Sequence, residues 1–130
     1  MAKILFCDED HALLETFGRY LSWYGHEVAL ERDPQVLAQA LARFKPDLLI
    51  LNAWIGTRDP YRILEALRRH EDPELRGIQV LLLIVEDLDA SKRKLARRLG
   101  ASLMNPYRSA EKWQERIDLI LEREAERARD

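Results

Sequence analysis

Three consecutive carboxylates, Asp8, Glu9 and Asp10, follow directly on an apolar run, Ile4-Leu5-Phe6-Cys7. Carboxylates crowded at the end of a strand repel one another unless a cation or solvent compensates them. Oxygen ligands suit Mg2+, which takes one or two carboxylates and keeps several waters. A second reading has Asp10 capping a helix, with Asp8 and Glu9 solvated near that helix's positive end. No glycine-rich turn follows the run, which disfavours a phosphate-cradling loop. The bases cluster elsewhere. Lys92, Arg93, Lys94, Arg97 and Arg98 lie in one helical stretch. There Arg93 with Arg97, and Lys94 with Arg98, set like charges four apart at a cost of a few tenths of a kcal/mol. Such a run is either a solvated face or an interface that Glu111, Glu115 and Glu122 could meet across a two-fold axis. Nucleic acid is the rival partner for these bases, but Glu86, Asp87 and Asp89 immediately upstream dilute the positive charge.

The remaining reactive side chains have plainer readings. Cys7, on a buried strand, is a small core hydrophobe, and as the single cysteine it excludes an internal disulfide. His11, His26 and His70 fall on separate elements, against a histidine-ligated metal. Ser91 and Ser109 sit where helix caps are expected, with no nucleophile elbow around them. No strand end pairs a nucleophile with a base, so an enzyme is not expected. Trp54, in a loop, either covers a pocket at the strand ends or meets a partner.

The elements that must carry these residues alternate along the chain. Strands are expected over 4–7, 27–31, 48–51, 78–85 and 101–104. Leu13, Leu14, Phe17, Leu21 and Tyr24 recur at helical spacing up to Gly25, a C-terminal stop. Asp33-Pro34 and Asp59-Pro60 each read as a cap followed by proline at the first helical position. Lys45-Pro46 ends the helix that the first pair opens. A polar stretch holds Pro73 and Gly77. Helices follow over 91–99 and from 109 onward, the last with Trp113, Ile117, Ile120 and Leu121 as its apolar stripe. From about 122 that stripe fades into mixed charge, as in a solvated extension. Continuous apolar strands separated by helices predict a parallel sheet covered on both faces, a doubly wound α/β fold. Ligands of such folds bind outside the carboxyl ends of the strands. The residues to weigh are therefore those following strands one, three, four and five.

At 130 residues, with 47% hydrophobic and 34% charged, the chain is about the size of one domain and has ample apolar surface for one core. A net charge of −2 at pH 7 carries no basic field to attract nucleic acid or anionic membrane. The longest apolar runs are strand-sized, and the first is too short for a signal peptide. A cytoplasmic protein is the expectation.

Four blocks in order resemble the receiver domains of bacterial two-component response regulators, over essentially the whole chain. They are Ile4-Leu5-Phe6-Cys7-Asp8-Glu9-Asp10; Lys45-Pro46-Asp47-Leu48-Leu49-Ile50-Leu51-Asn52 with a loop ending at Asp59; Ile78-Gln79-Val80-Leu81-Leu82-Leu83; and Leu99-Gly100-Ala101 leading to Asn105-Pro106-Tyr107. The resemblance implies a flavodoxin-like five-stranded parallel sheet of order 2-1-3-4-5 with five helices, spanning 1–130 as a single domain. It also marks where the chain departs from the family. The phosphorylated aspartate corresponds to Asn52, a carboxamide that cannot form an acyl phosphate. The switch hydroxyl corresponds to Ile84, which cannot hydrogen-bond a phosphoryl oxygen. The lysine before the last proline corresponds to Asn105, and the switch aromatic to Ser102. Asp8 and Glu9 remain, implying Mg2+ affinity no better than roughly millimolar, and no required cofactor. The implied protein is a pseudo-receiver in a two-component-type pathway. It would act on a signalling partner through protein contact, without membrane association, and could form a homodimer through the fourth helix, fifth strand and fifth helix. A small nucleic-acid-binding module and a receiver with its acceptor moved to Asp59 or Asp10 are the alternatives. The family's turn also implies a cis Asn105-Pro106 bond with Asn105 aimed at Asp8.

Overall fold

The structure is a computed structural model that describes residues 2–52, 59–84, 90–105 and 110–129. Its strands are β1 (Lys3–Cys7), β2 (Glu27–Glu31), β3 (Leu48–Asn52), β4 (Gln79–Leu83) and β5 (Ala101–Met104). Its α-helices are α1 (His11–Trp23), α2 (Leu37–Phe44), α3 (Pro60–Arg68), α4 (Pro73–Arg76), α5 (Ala90–Arg98) and α6 (Ala110–Arg129). All strand pairings are parallel, in the order β2-β1-β3-β4-β5. This is the flavodoxin-like, doubly wound sheet that the apolar runs and the resemblance imply.

Alternate residues of each central strand feed two separate cores. Leu5, Cys7, Leu49, Leu51, Val80 and Leu82 face α2, α3, α4 and α5 through Leu37, Leu41, Leu64, Leu67, Leu75 and Ala96. Ile4, Phe6, Leu48, Ile50, Leu81 and Leu83 face α1 and α6 through Leu14, Leu21, Trp113, Ile117 and Ile120. Burial on both faces is why these strands read as unbroken apolar runs rather than alternating ones. Trp113 is fully buried and stacks on Phe17, with ring centroids 4.0 Å apart. The edge strands β2 and β5 are only partly buried.

Cap chemistry sets the helix starts. Asp10 Oδ1 accepts from the Leu13 N–H at 3.1 Å and opens α1. Asp33 and Asp59 accept from the N–H groups of Gln35 and Tyr61, each with proline following. Some details differ from the sequence reading: β4 covers Gln79–Leu83 rather than 78–85, and Ser91 lies inside α5 rather than at its cap. Pro34–Val36 forms a 3-10 turn, and α2 proper begins only at Leu37. The described residues also hold six α-helices rather than five, because the polar stretch around Pro73 winds into α4. Asp72 caps that turn by accepting from the Glu74 N–H, so Asp72-Pro73 repeats the signal of the other two Asp-Pro pairs. At four residues the turn is too short to show helical periodicity. Stops are equally local: Gly25 and Gly100 take φ of 92° and 73°, and Lys45 ends α2 at φ 50°.

Candidate functional site

The register of β1 against β3 pairs Cys7 with Leu51, which brings the next residue of each strand, Asp8 and Asn52, side by side at the carboxyl end of the sheet. Asp8 is 2% exposed and is the buried charged residue among those described. Its main-chain N–H donates to the Glu31 carbonyl at 3.0 Å, continuing the β1–β2 ladder past the end of the strand. Both carboxylate oxygens are engaged. Oδ1 accepts from the Asp10 N–H at 2.9 Å, and Oδ2 accepts from the Asn52 amide nitrogen at 2.9 Å. An ionised carboxylate only accepts, so the amide must present nitrogen to it. Burial raises the Asp8 pKa, opposed by the hydrogen bonds from Asp10, Asn52 and Glu9. Glu9 and Asp10 are exposed.

The described residues just past β4 and β5, Ile84 and Asn105, are uncharged. Ile84 is partly buried just past β4, where its N–H donates to the Met104 carbonyl and its side chain packs on the core beneath α2, α3 and α5. Ser102 is partly buried on β5, opposite Leu81 in register. Asn105 is exposed after β5. Trp54, and Pro106 with the isomer of the bond before it, lie outside the described residues. Cys7 is buried in the core as expected, and burial with the nearby acids pushes its thiol up to about 12. Asp10 and Asp59 both spend a carboxylate oxygen capping a helix.

Among the described residues, the donor set suits a divalent cation poorly. Asp8 supplies one buried carboxylate with both oxygens already accepting, and the nitrogen of Asn52, rather than its oxygen, faces that carboxylate. Among the described residues, no group of three or more His, Cys, Asp or Glu side chains is placed to hold a metal ion.

The basic residues Arg93, Lys94, Arg97 and Arg98 are exposed on α5, and Lys92 is partly buried. Helices α5 and α6 belong to opposite layers and flank the β5 edge. On α6, Glu115, Asp118, Glu122 and Glu126 are exposed, and Glu115 pairs with Lys112 at 3.3 Å. The side chain of Glu111 is outside the described set.

Arg68 was not singled out by the sequence. From the end of α3 its Nε donates to the Leu99 carbonyl at 2.7 Å, and its Nη1 to those of Arg76 at 2.9 Å and Ile78 at 2.7 Å. Main-chain acceptors 8, 10 and 31 residues away leave no side-chain motif to read.

No protein-family model matches the chain. Among curated proteins, the response regulator MprA of Mycobacterium leprae is 30% identical over 123 residues, covering 93% of this chain and 51% of that protein. The chain thus spans about half the length of the curated relatives it matches. Among solved structures, the signal receiver domain of a response regulator from Bermanella marisrubri superposes with a TM-score of 0.80 at 20% identity, covering 92% of this chain and 97% of that one. Chemotaxis protein CheY4 of Vibrio cholerae gives 0.82 at 17% identity, covering 92% and 98%. No helix among the described residues is long and apolar enough to cross a membrane. With response regulators as its sequence relatives over about half of their length and receiver domains as its structural neighbours, the chain has the receiver-domain fold and is similar in sequence to response regulators.

Proposed function

We propose that this receiver domain signals through protein–protein contact without being phosphorylated on an aspartate. The observation that carries the reading is Asn52 at the end of β3, with its amide committed to Asp8 Oδ2 at 2.9 Å. A carboxamide lacks the nucleophilic oxygen anion that attacks a phosphoryl donor. Ile84 and Asn105, beyond the ends of β4 and β5, bring no hydroxyl and no cation to stabilise a transferred group. Asp10 and Asp59 are poor substitute acceptors, since each is tied to a helix N-terminus on another element. The reading needs no cofactor. Any Mg2+ would be held by Asp8 and Glu9 with roughly millimolar affinity, near the weak end of sites with few charged ligands. The partner is a signalling protein, or a second copy of the chain, meeting the surface formed by α5, β5 and α6.

Incubation with a small phosphodonor and Mg2+ tests this by intact mass. The expected result is no added phosphoryl group. A stoichiometric, hydroxylamine-labile adduct would overturn the reading. Changing Asn52→Asp alone restores little labelling, because Ile84 and Asn105 remain.

A further inference from the structure

A divalent cation held between carboxylates at the ends of two strands would do two things: neutralise crowded charge, and tie one strand end to the other. Hydrogen bonds to Asp8 serve both ends here. The Asn52 amide N–H lies 2.9 Å from Asp8 Oδ2, while the Asp10 N–H occupies Oδ1. We infer that the Asn52 carboxamide is a built-in replacement for the cation, locking the ends of β1 and β3 together in one metal-independent arrangement. The inference deepens the reading above by naming what holds that site in place of Mg2+.

Charge, supply of donors and position all support it. An aspartate at position 52 would bring a second carboxylate against Asp8, and two such groups at hydrogen-bonding distance cannot both ionise without a counter-charge. With Asn52 the pair carries a single negative charge, which two N–H donors already solvate. A cation seeking Oδ2 must displace the amide. That would strip a partly buried donor of its acceptor, and Mg2+ would gain only one buried carboxylate in return. The amide is also fixed in place: Asn52 is the last residue of β3, registered against Leu83 of β4, with Leu51 registered against Cys7 of β1.

Thermal unfolding with no phosphodonor present tests the lock, comparing wild type and Asn52→Asp in excess EDTA and in millimolar MgCl2. The wild-type Tm is expected to differ by no more than about 2 °C, the most that a roughly millimolar site contributes at millimolar Mg2+. Asn52→Asp should melt lower than wild type in EDTA and recover by roughly 5 °C on adding Mg2+. Asn52→Leu, which removes the donor without adding charge, should melt lower than wild type in EDTA. If Asn52→Asp does not fold in EDTA but folds with Mg2+, the lock is supported. If neither variant yields folded protein, the wild type decides alone: a Tm within that margin supports the lock. A wild-type Tm that rises with Mg2+ as far as that of Asn52→Asp overturns it, as does Asn52→Asp matching wild type in EDTA. The two readings fail separately. A wild type stabilised by Mg2+ beyond that margin that takes no phosphoryl group sinks the lock alone. One that is phosphorylated yet melts within that margin sinks the phosphorylation reading alone.

Discussion

Asp8 holds a negative charge where water scarcely reaches, at 2% exposure, and burial outweighs its hydrogen bonds in raising its pKa. The sign of the pH dependence follows. Between the unfolded-chain pKa and the higher folded one, the folded protein binds more protons than the unfolded chain. The stability associated with Asp8 is therefore greatest below the unfolded value and is lost as pH rises through the folded value. Asp8→Asn cannot titrate, so its stability relative to wild type should climb across that window and level off above it. Urea unfolding at a series of pH values measures the difference. A difference that falls with rising pH would mean that the Asp10 and Asn52 hydrogen bonds outweigh burial. One residue back, Cys7 is buried with its thiol pushed up to about 12, so almost none of it is thiolate near neutral pH. Alkylation of the native protein should be slower than that of the urea-unfolded chain by several orders of magnitude, because labelling must await opening. Prompt labelling in the native state would contradict the buried placement of β1's last residue.

Between elements, Arg68 joins three parts by hydrogen bonds: the end of α3, the α4–β4 connection and the end of α5. Burial lowers its pKa, yet three carbonyls accept from its Nε and Nη1. Arg68→Met keeps the apolar stem and leaves those carbonyls without their donor. A loss of about 2 kcal/mol is expected by urea unfolding, the scale of hydrogen bonds to a charged group with partial access to water. Arg68→Lys should recover only part of it, since an ammonium cannot reproduce the planar fork. A loss below about 0.5 kcal/mol for Arg68→Met would mean that water replaces the guanidinium. Legibility in the sequence divides along the same line. The five strands, the Asp10, Asp33 and Asp59 caps and the Gly25 stop are readable because their causes lie within a few residues. The short α4 had its cap in Asp72-Pro73 but too few residues for periodicity. Arg68's bonds run to main-chain atoms, which no residue type announces. The Asp8–Asn52 hydrogen bond joins residues 44 apart. Their meeting at the site was implied by resemblance, whereas which amide atom faces the carboxylate depends on the folded register.

At the scale of the whole molecule, a net charge of −2 conceals a local concentration of bases. Helix α5 carries five basic residues and no acid in its nine positions, ASKRKLARR. Those at 93, 94, 97 and 98 are exposed, and Glu115 and Glu122 are exposed on α6 beyond the β5 edge. A two-fold axis along that edge would bring the bases of one copy toward the acids of the other. Exposed pairs contribute little individually, and Glu115 already has Lys112 as a neighbour, so self-association through this surface should be weak. It should also be salt-sensitive, because charges separated by more than about 8 Å are screened at physiological ionic strength. Sedimentation velocity should show an average mass that rises with protein concentration at low salt and returns to the monomer value at high salt. Reversing two exposed bases, Arg93→Glu with Arg97→Glu, should leave a monomer at every concentration. A wild type that stays monomeric, yet is retained on a polyanion column until those two arginines are reversed, would assign α5 to nucleic acid instead and refute the two-fold interface.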